Sequence, residues 1–189
     1  MKKGANNLLG IALRYFILIL AGFPSLWIFY FIFAPLTIYP VYFLLNLFFD
    51  SALIGGNSII ISGLPIEIID ACIAGSAYYL LLILNLATPE IKIKKRIYMI
   101  SASFLVFLIV NILRIFFLSI LYINKFALFD IVHHFFWYFM SIFFVVLIWF
   151  VEVKFFKIKK IPFYSDLVYV YHLSILKVKK KSKTFKKKD

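Results

Sequence analysis

The chain has a single cysteine, Cys72, which excludes an intrachain disulfide and any zinc site built from paired cysteines. Whatever Cys72 does, it does as a thiol. Acidic residues are also sparse, 8 Asp and Glu against 21 Lys and Arg, and charged residues of both signs make up only 15% of 189 residues. That is too little polar surface to coat a water-soluble domain of this length. What remains is 65% hydrophobic and 21% aromatic, with a mean hydropathy of +1.01, so lipid is the expected main solvent. The net charge of +13 does not read as a nucleic-acid footprint, because the lysines and arginines stand in short blocks between or after apolar runs instead of covering one face.

Apolar segments run at about Leu8 to Phe33, Pro35 to Phe49, Ala71 to Ala87, Ile97 to Ile120 and Ile131 to Val151. They predict an all-α, polytopic transmembrane helix bundle of about five spans over residues 1–153. Lys2 and Lys3 before the first run resemble a signal peptide, yet no small-residue cleavage site is convincing and further spans follow, so the segment is expected in the mature protein. Between the second and third runs, Asp50 to Asp70 holds Gly55, Gly56, Asn57, Gly63 and Pro65, helix breakers that suit a short extracytoplasmic loop. Ile59 to Ile61 in its centre reads as a short strand or an interfacial dip. From Lys154 to Asp189 a tail with twelve lysines follows, expected to be cytoplasmic and partly disordered, with Phe163 to Leu176 lying on the inner leaflet.

Orientation follows from the lysines. The linker carrying Lys92, Lys94, Lys95 and Arg96 and the tail are separated by two spans, and both belong inside. The Asp50 to Asp70 loop is then outside. Keeping Lys2 and Lys3 inside as well requires an odd number of crossings before that loop, whereas two apolar segments precede it. Either the short Pro35 to Phe49 segment is re-entrant or interfacial, the preferred reading, or the N-terminus faces out.

Arg114 lies within an apolar span, where a charge costs at least ~2.5 kcal/mol unless it meets a cavity or partner. It stands 18 residues beyond Arg96, ~27 Å along a helix at 1.5 Å per residue, against a hydrocarbon core of ~30 Å. It therefore reaches the outer face, where Cys72 opens the third span and His133 and His134 open the fifth. Helical spacing puts Asn111 on the face of Arg114, and Gly75, Ser76 and Tyr79 on the face of Cys72. Asp50, Glu67, Asp70 and Asp130 fall on the same side as candidate partners for Arg114 or a histidine. Each residue alone has a plainer reading: Cys72 as apolar filler, Arg114 as a snorkelling side chain, the histidines as part of an aromatic belt with Trp137 and Tyr138. Arg14 in the first segment reads as a snorkelling anchor.

Taken together, Ile69-Asp70-Ala71-Cys72-Ile73-Ala74-Gly75-Ser76-Ala77-Tyr78-Tyr79-Leu80, Asn111-Ile112-Leu113-Arg114-Ile115 and Asp130-Ile131-Val132-His133-His134 resemble the three signature blocks of the archaeosortase/exosortase family. The resemblance covers about Leu64 to Phe150 in order and spacing. It implies a membrane-embedded cysteine transpeptidase that cuts a C-terminal sorting signal from exported proteins and transfers the acyl end to an acceptor. It assigns the nucleophile to Cys72 and the other triad roles to Arg114 and His133, with His134, Asn111, Asp70 and Ser76 as possible supporting residues. His133 fits the family block better than His134. Bacterial members usually have Ser-Gly directly after the cysteine and many have seven or eight spans, so the chain resembles a short, archaeal-type member.

A thiol is a poor nucleophile until deprotonated, so a base or cation must stand beside Cys72. His133 can take its proton and Arg114 can stabilise the developing anions. The implied partners are exported proteins ending in a short motif, an apolar span and a basic cluster, with a membrane lipid as acyl acceptor. No cofactor or metal is needed: adjacent histidines on a helix point about 100° apart and do not chelate one ion as i, i+4 pairs do. The alternatives are a non-enzymatic channel, transporter subunit or assembly factor in which Arg114 and the histidines line an ion path, and a thiol acyltransferase moving a lipid acyl chain.

Overall fold

A computed structural model describes residues 2–89, 91–158 and 171. Most of the lysine-rich tail, including Phe163 to Leu176 apart from Tyr171, lies outside the described residues. The elements are α1 (Lys2–Gly22), α2 (Trp27–Asn46), β1 (Ser51–Ile54), β2 (Ser58–Ile61), β3 (Leu64–Glu67), α3 (Asp70–Ile73), α4 (Gly75–Leu86), α5 (Ile93–Ile123) and α6 (Phe129–Phe155). Within α6, Phe136–Met140 form a π-helical turn.

Three helices, α2, α5 and α6, are long and apolar enough to cross a membrane, while Leu9–Gly22 and Asp70–Leu86 are shorter apolar helices. Against the expectation of about five spans, the described residues hold three helices of spanning length and two shorter apolar ones. The bundle is inverted relative to a soluble one. Along α5 the buried stripe carries Ser103, Asn111, Arg114 and Ser119, while Ile109, Leu113 and Phe117 point outward. A helix that hides its polar groups and exposes its aliphatic ones is matched to lipid. At the core, Tyr78 of α4 stacks on Phe33 of α2 with centroids 3.6 Å apart, and Phe104 and Phe107 of α5 meet the Tyr78 ring edge to face.

The break between the first two helices differs from the sequence expectation. It falls at Phe23 to Leu26, where Ser25 and Leu26 take left-handed backbone conformations, and both Pro35 and Pro40 sit inside α2. Proline is tolerated inside membrane helices because neighbours re-satisfy the freed carbonyls, so it marked no boundary here. Pro35 to Asn46 accordingly continues a helix that begins at Trp27, and Leu47 to Phe49 turn beyond its end.

Contacts along α4 give the direction of both N-terminal helices. Arg14 donates to the carbonyls of Leu86 and Thr88 at 3.1 and 3.3 Å, and the Tyr79 hydroxyl donates to Leu18 at 3.1 Å. Next come Phe29 against Tyr79, Phe33 against Tyr78 and Tyr30 against Gly75. Rising residue numbers in α1 and then α2 meet falling numbers in α4, so the two helices are stacked end to end, both antiparallel to α4. Arg14 caps the C-terminal end of α4 and is no loose anchor. Arg96 reinforces that cap, reaching the carbonyls of Asn85, Leu86 and Thr88 at 2.6 to 2.9 Å. At the same end, Asn85 donates to Glu152 at 3.0 Å and to Ser103 at 3.5 Å, tying α4, α5 and α6 together.

The expected loop at Asp50 to Asp70 is an antiparallel sheet in the order β1-β2-β3, so the fold is mostly but not wholly α. Gly55 and Gly56 turn the first hairpin with φ of 64° and 87°. Ser62 and Gly63, at φ 50° and 81°, form the two-residue turn of the second, the pairing of positive φ values that matches strand twist. Pro65 is confined to β3, an edge strand, as its missing N–H requires. The sheet hands the chain straight to the Cys72 turn.

Candidate functional site

Cys72 lies on α3, a single helical turn, not on the long helix that follows. Ala74 between α3 and α4 has φ 59° and ψ 45°, a left-handed conformation that costs a non-glycine residue about 1–2 kcal/mol. The break rotates everything after it, so the expected sharing of a face by Cys72, Gly75, Ser76 and Tyr79 does not occur. Gly75 is buried against the Tyr30 ring, Ser76 is exposed, and Tyr79 bonds Leu18. A Cβ on Gly75 would stand 2.8 Å from Tyr30 ring carbons. Gly75→Ala is therefore expected to lower stability by about 1–3 kcal/mol through overpacking beside the Cys72 turn. A thermal melt in detergent checks this; an unchanged midpoint would mean that Tyr30 yields freely.

The carbonyls of the broken turn are held by α5. Asn111 donates from Nδ2 to Cys72 O at 3.0 Å and to Ile73 O at 3.3 Å, and Arg114 donates from Nη2 to Cys72 O at 3.1 Å. The other arm of the guanidinium, Nη1, donates to Ser141 Oγ at 2.8 Å, and Ser141 in turn donates to Phe136 O at 3.2 Å across the π-helical turn. Arg114 thus ties the Cys72 backbone to α6. Among the described residues no acid pairs with it. Arg114 Nε and Asn111 Oδ1 are buried with no partner among those residues.

A cavity of about 260 Å³ opens beside this clamp. Cys72 and Arg114 line it together with His133 and Trp137 from α6, and Pro65 to Ile69 form the facing wall. Three separate segments thus place Cys72, Arg114 and His133 around a single space. His133 is half-buried, with its ring near Phe129 at 5.4 Å and Trp137 at 6.0 Å between centroids, one helical turn away on either side. His134 is exposed, donates from Nδ1 to its own helix at Asp130 O (2.7 Å), and does not line the cavity. No hydrogen bond joins Cys72 to His133 among the described residues.

The remaining candidates are placed as follows. Asn111 is a backbone clamp, 2% exposed, outside the cavity wall. Asp70 is exposed at the start of α3 and does not line the cavity, and neither does Ser76. Glu67 does line it, with its carboxylate taking Asn57 Nδ2 at 3.3 Å. Sequence reasoning missed Ser141 and, apart from Glu67, the wall that β3 contributes. A lone serine in the apolar run of α6 is the signal that points to Ser141; β3 is hidden because four-residue strands carry almost no periodicity.

Fold and cavity together define a mostly helical protein with three helices long and apolar enough to cross a membrane, a small three-stranded sheet, and a cavity lined by Cys72, Arg114 and His133. No known protein family, curated protein or solved structure matches the chain.

Proposed function

We propose that the chain is a membrane-embedded cysteine transpeptidase of the archaeosortase/exosortase type, with its site at the extracytoplasmic face and its lysine-rich end in the cytoplasm. The observation that carries this reading is the convergence of Cys72, Arg114 and His133 on one cavity from three distant segments. His133 takes the thiol proton of Cys72, and the thiolate attacks the scissile carbonyl of an exported protein. The tetrahedral intermediate collapses as protonated His133 gives its proton to the leaving amine, which leaves a thioester on Cys72. An amine or hydroxyl acceptor, in this reading a lipid headgroup, then loses its proton to His133, displaces the sulfur and restores the thiol. The apolar walls keep water from competing with the acceptor.

Trapping is the direct test. Membranes quenched in acid should yield Cys72 carrying a peptidyl mass, released by hydroxylamine. A fatty-acyl mass in its place would move the chain to the thiol acyltransferases, and a bare Cys72 under active conditions would favour a non-enzymatic role. The two histidines separate by their placement. His133→Ala is expected to lower processing by about 10²- to 10⁴-fold, the range for removing a general base, while His134→Ala stays near wild type. Equal losses in both, followed by gel mobility of the exported protein, would remove the assignment.

A further inference from the structure

The cavity meets β3 at its edge. A cavity over a sheet face would be lined by alternate residues, whereas this one is lined by five consecutive ones, Pro65 to Ile69, and among the described residues by none of β1 or β2. The backbone phase agrees. Ile68 N–H donates to Asn57 O at 2.9 Å and Ser62 N–H to Asp50 O at 3.3 Å, so the even-numbered residues of β3 pair with β2 and the odd-numbered ones turn away from it. Glu67 N–H, Glu67 C=O and Pro65 C=O therefore point outward, with no backbone partner among the described residues. Pro65 brings no donor, which blunts the far end of the edge and confines full pairing to Glu67, five residues before Cys72.

The geometry points to strand addition: an extended peptide segment lies along the free edge of β3, pairs with Glu67, and is thereby delivered to the Cys72 thiol. A donor and an acceptor at strand spacing call for a partner that alternates C=O and N–H, which a peptide backbone supplies and a lipid chain does not. This deepens the transpeptidase reading and rests on it. Backbone pairing is tolerant of side chains, so a plain peptide suffices as probe.

The test uses the full chain in detergent and an acetyl-tetraalanyl acyloxymethyl ketone, which alkylates a thiolate with loss of its carboxylate. The comparison is a twin methylated on its interior amides, with iodoacetamide reporting thiol reactivity alone. Labelling of Cys72 is followed by mass spectrometry. The unmethylated peptide should label at least about tenfold faster than its twin. Glu67→Pro, which deletes an N–H that the ladder does not use, should erase that advantage when each peptide rate is divided by the iodoacetamide rate of the same variant. Glu67→Ala, which keeps the N–H, should preserve it. Equal rates for the two peptides in the wild type, or an advantage that survives in Glu67→Pro, overturns strand addition. Should Glu67→Pro fail to fold, the wild-type comparison decides. Failure here with Cys72 still alkylated and still essential for processing leaves the transpeptidase reading standing; processing that persists without Cys72 removes that reading itself.

Discussion

Cys72→Ala is expected to abolish processing of the exported substrate, a loss of at least about 10³-fold, while the protein still inserts and folds. The magnitude follows from covalent chemistry: without sulfur no thioester forms, and the neighbouring groups have nothing to activate. Folding should survive because the Cys72 side chain is only half-buried and its stabilising bonds run through its carbonyl, to Asn111 and Arg114, which alanine retains. The change in stability should stay within about 1 kcal/mol. Cys72→Ser should be equally inactive, since a serine hydroxyl is far harder to deprotonate than a thiol. Gel mobility of the substrate in cells, with membrane fractionation of the variant, checks both halves. Processing retained in Cys72→Ala would dismiss the enzyme.

Arg114→Lys is expected to lose about 10²- to 10³-fold in activity and about 1–3 kcal/mol in stability. The guanidinium spans two partners on two elements, Ser141 Oγ at 2.8 Å and Cys72 O at 3.1 Å. Lysine is a single point charge on a flexible stem and cannot bridge both. A loss of stability alone is what a purely structural clamp would give. The distinguishing measurement is the rate at which iodoacetamide alkylates Cys72 in the folded variant at fixed pH. A slower rate, measured well below the melting temperature of the variant, would show that Arg114 acts on the sulfur. Wild-type processing and melting in Arg114→Lys would reduce the residue to a snorkelling side chain.

Much of this arrangement is legible in residue order. Apolar run length predicts α5 and α6, and the spacing of Asn111 and Arg114 puts both on one face of α5, which is its buried stripe. What escaped depends on conformation that no periodicity encodes. Ala74 adopts a backbone shape that usually calls for glycine, so nothing in the residue types announces the end of α3, and the face given to Ser76 fails for that reason. Prolines mislead in the other direction: Pro35 and Pro40 are absorbed inside α2, while Pro24 lies in the real break. The three strands of four residues each are held by turn chemistry at Gly55, Gly56 and Gly63 more than by any alternation of apolar side chains. The choice of His133 over His134 rests on which imidazole faces inward, a matter of helix phase at a boundary that residue order leaves loose by a residue or two.

The end-to-end stacking of α1 on α2 has an outcome that a topology experiment would read at once. The start of α1 lies toward the Thr88 end of α4, and the close of α6 returns there too, where Phe156 O accepts Lys95 Nζ at 2.6 Å. In the membrane arrangement proposed above, reporters fused ahead of α1 and behind α6 are expected in one and the same compartment, and opposite compartments would overturn that arrangement.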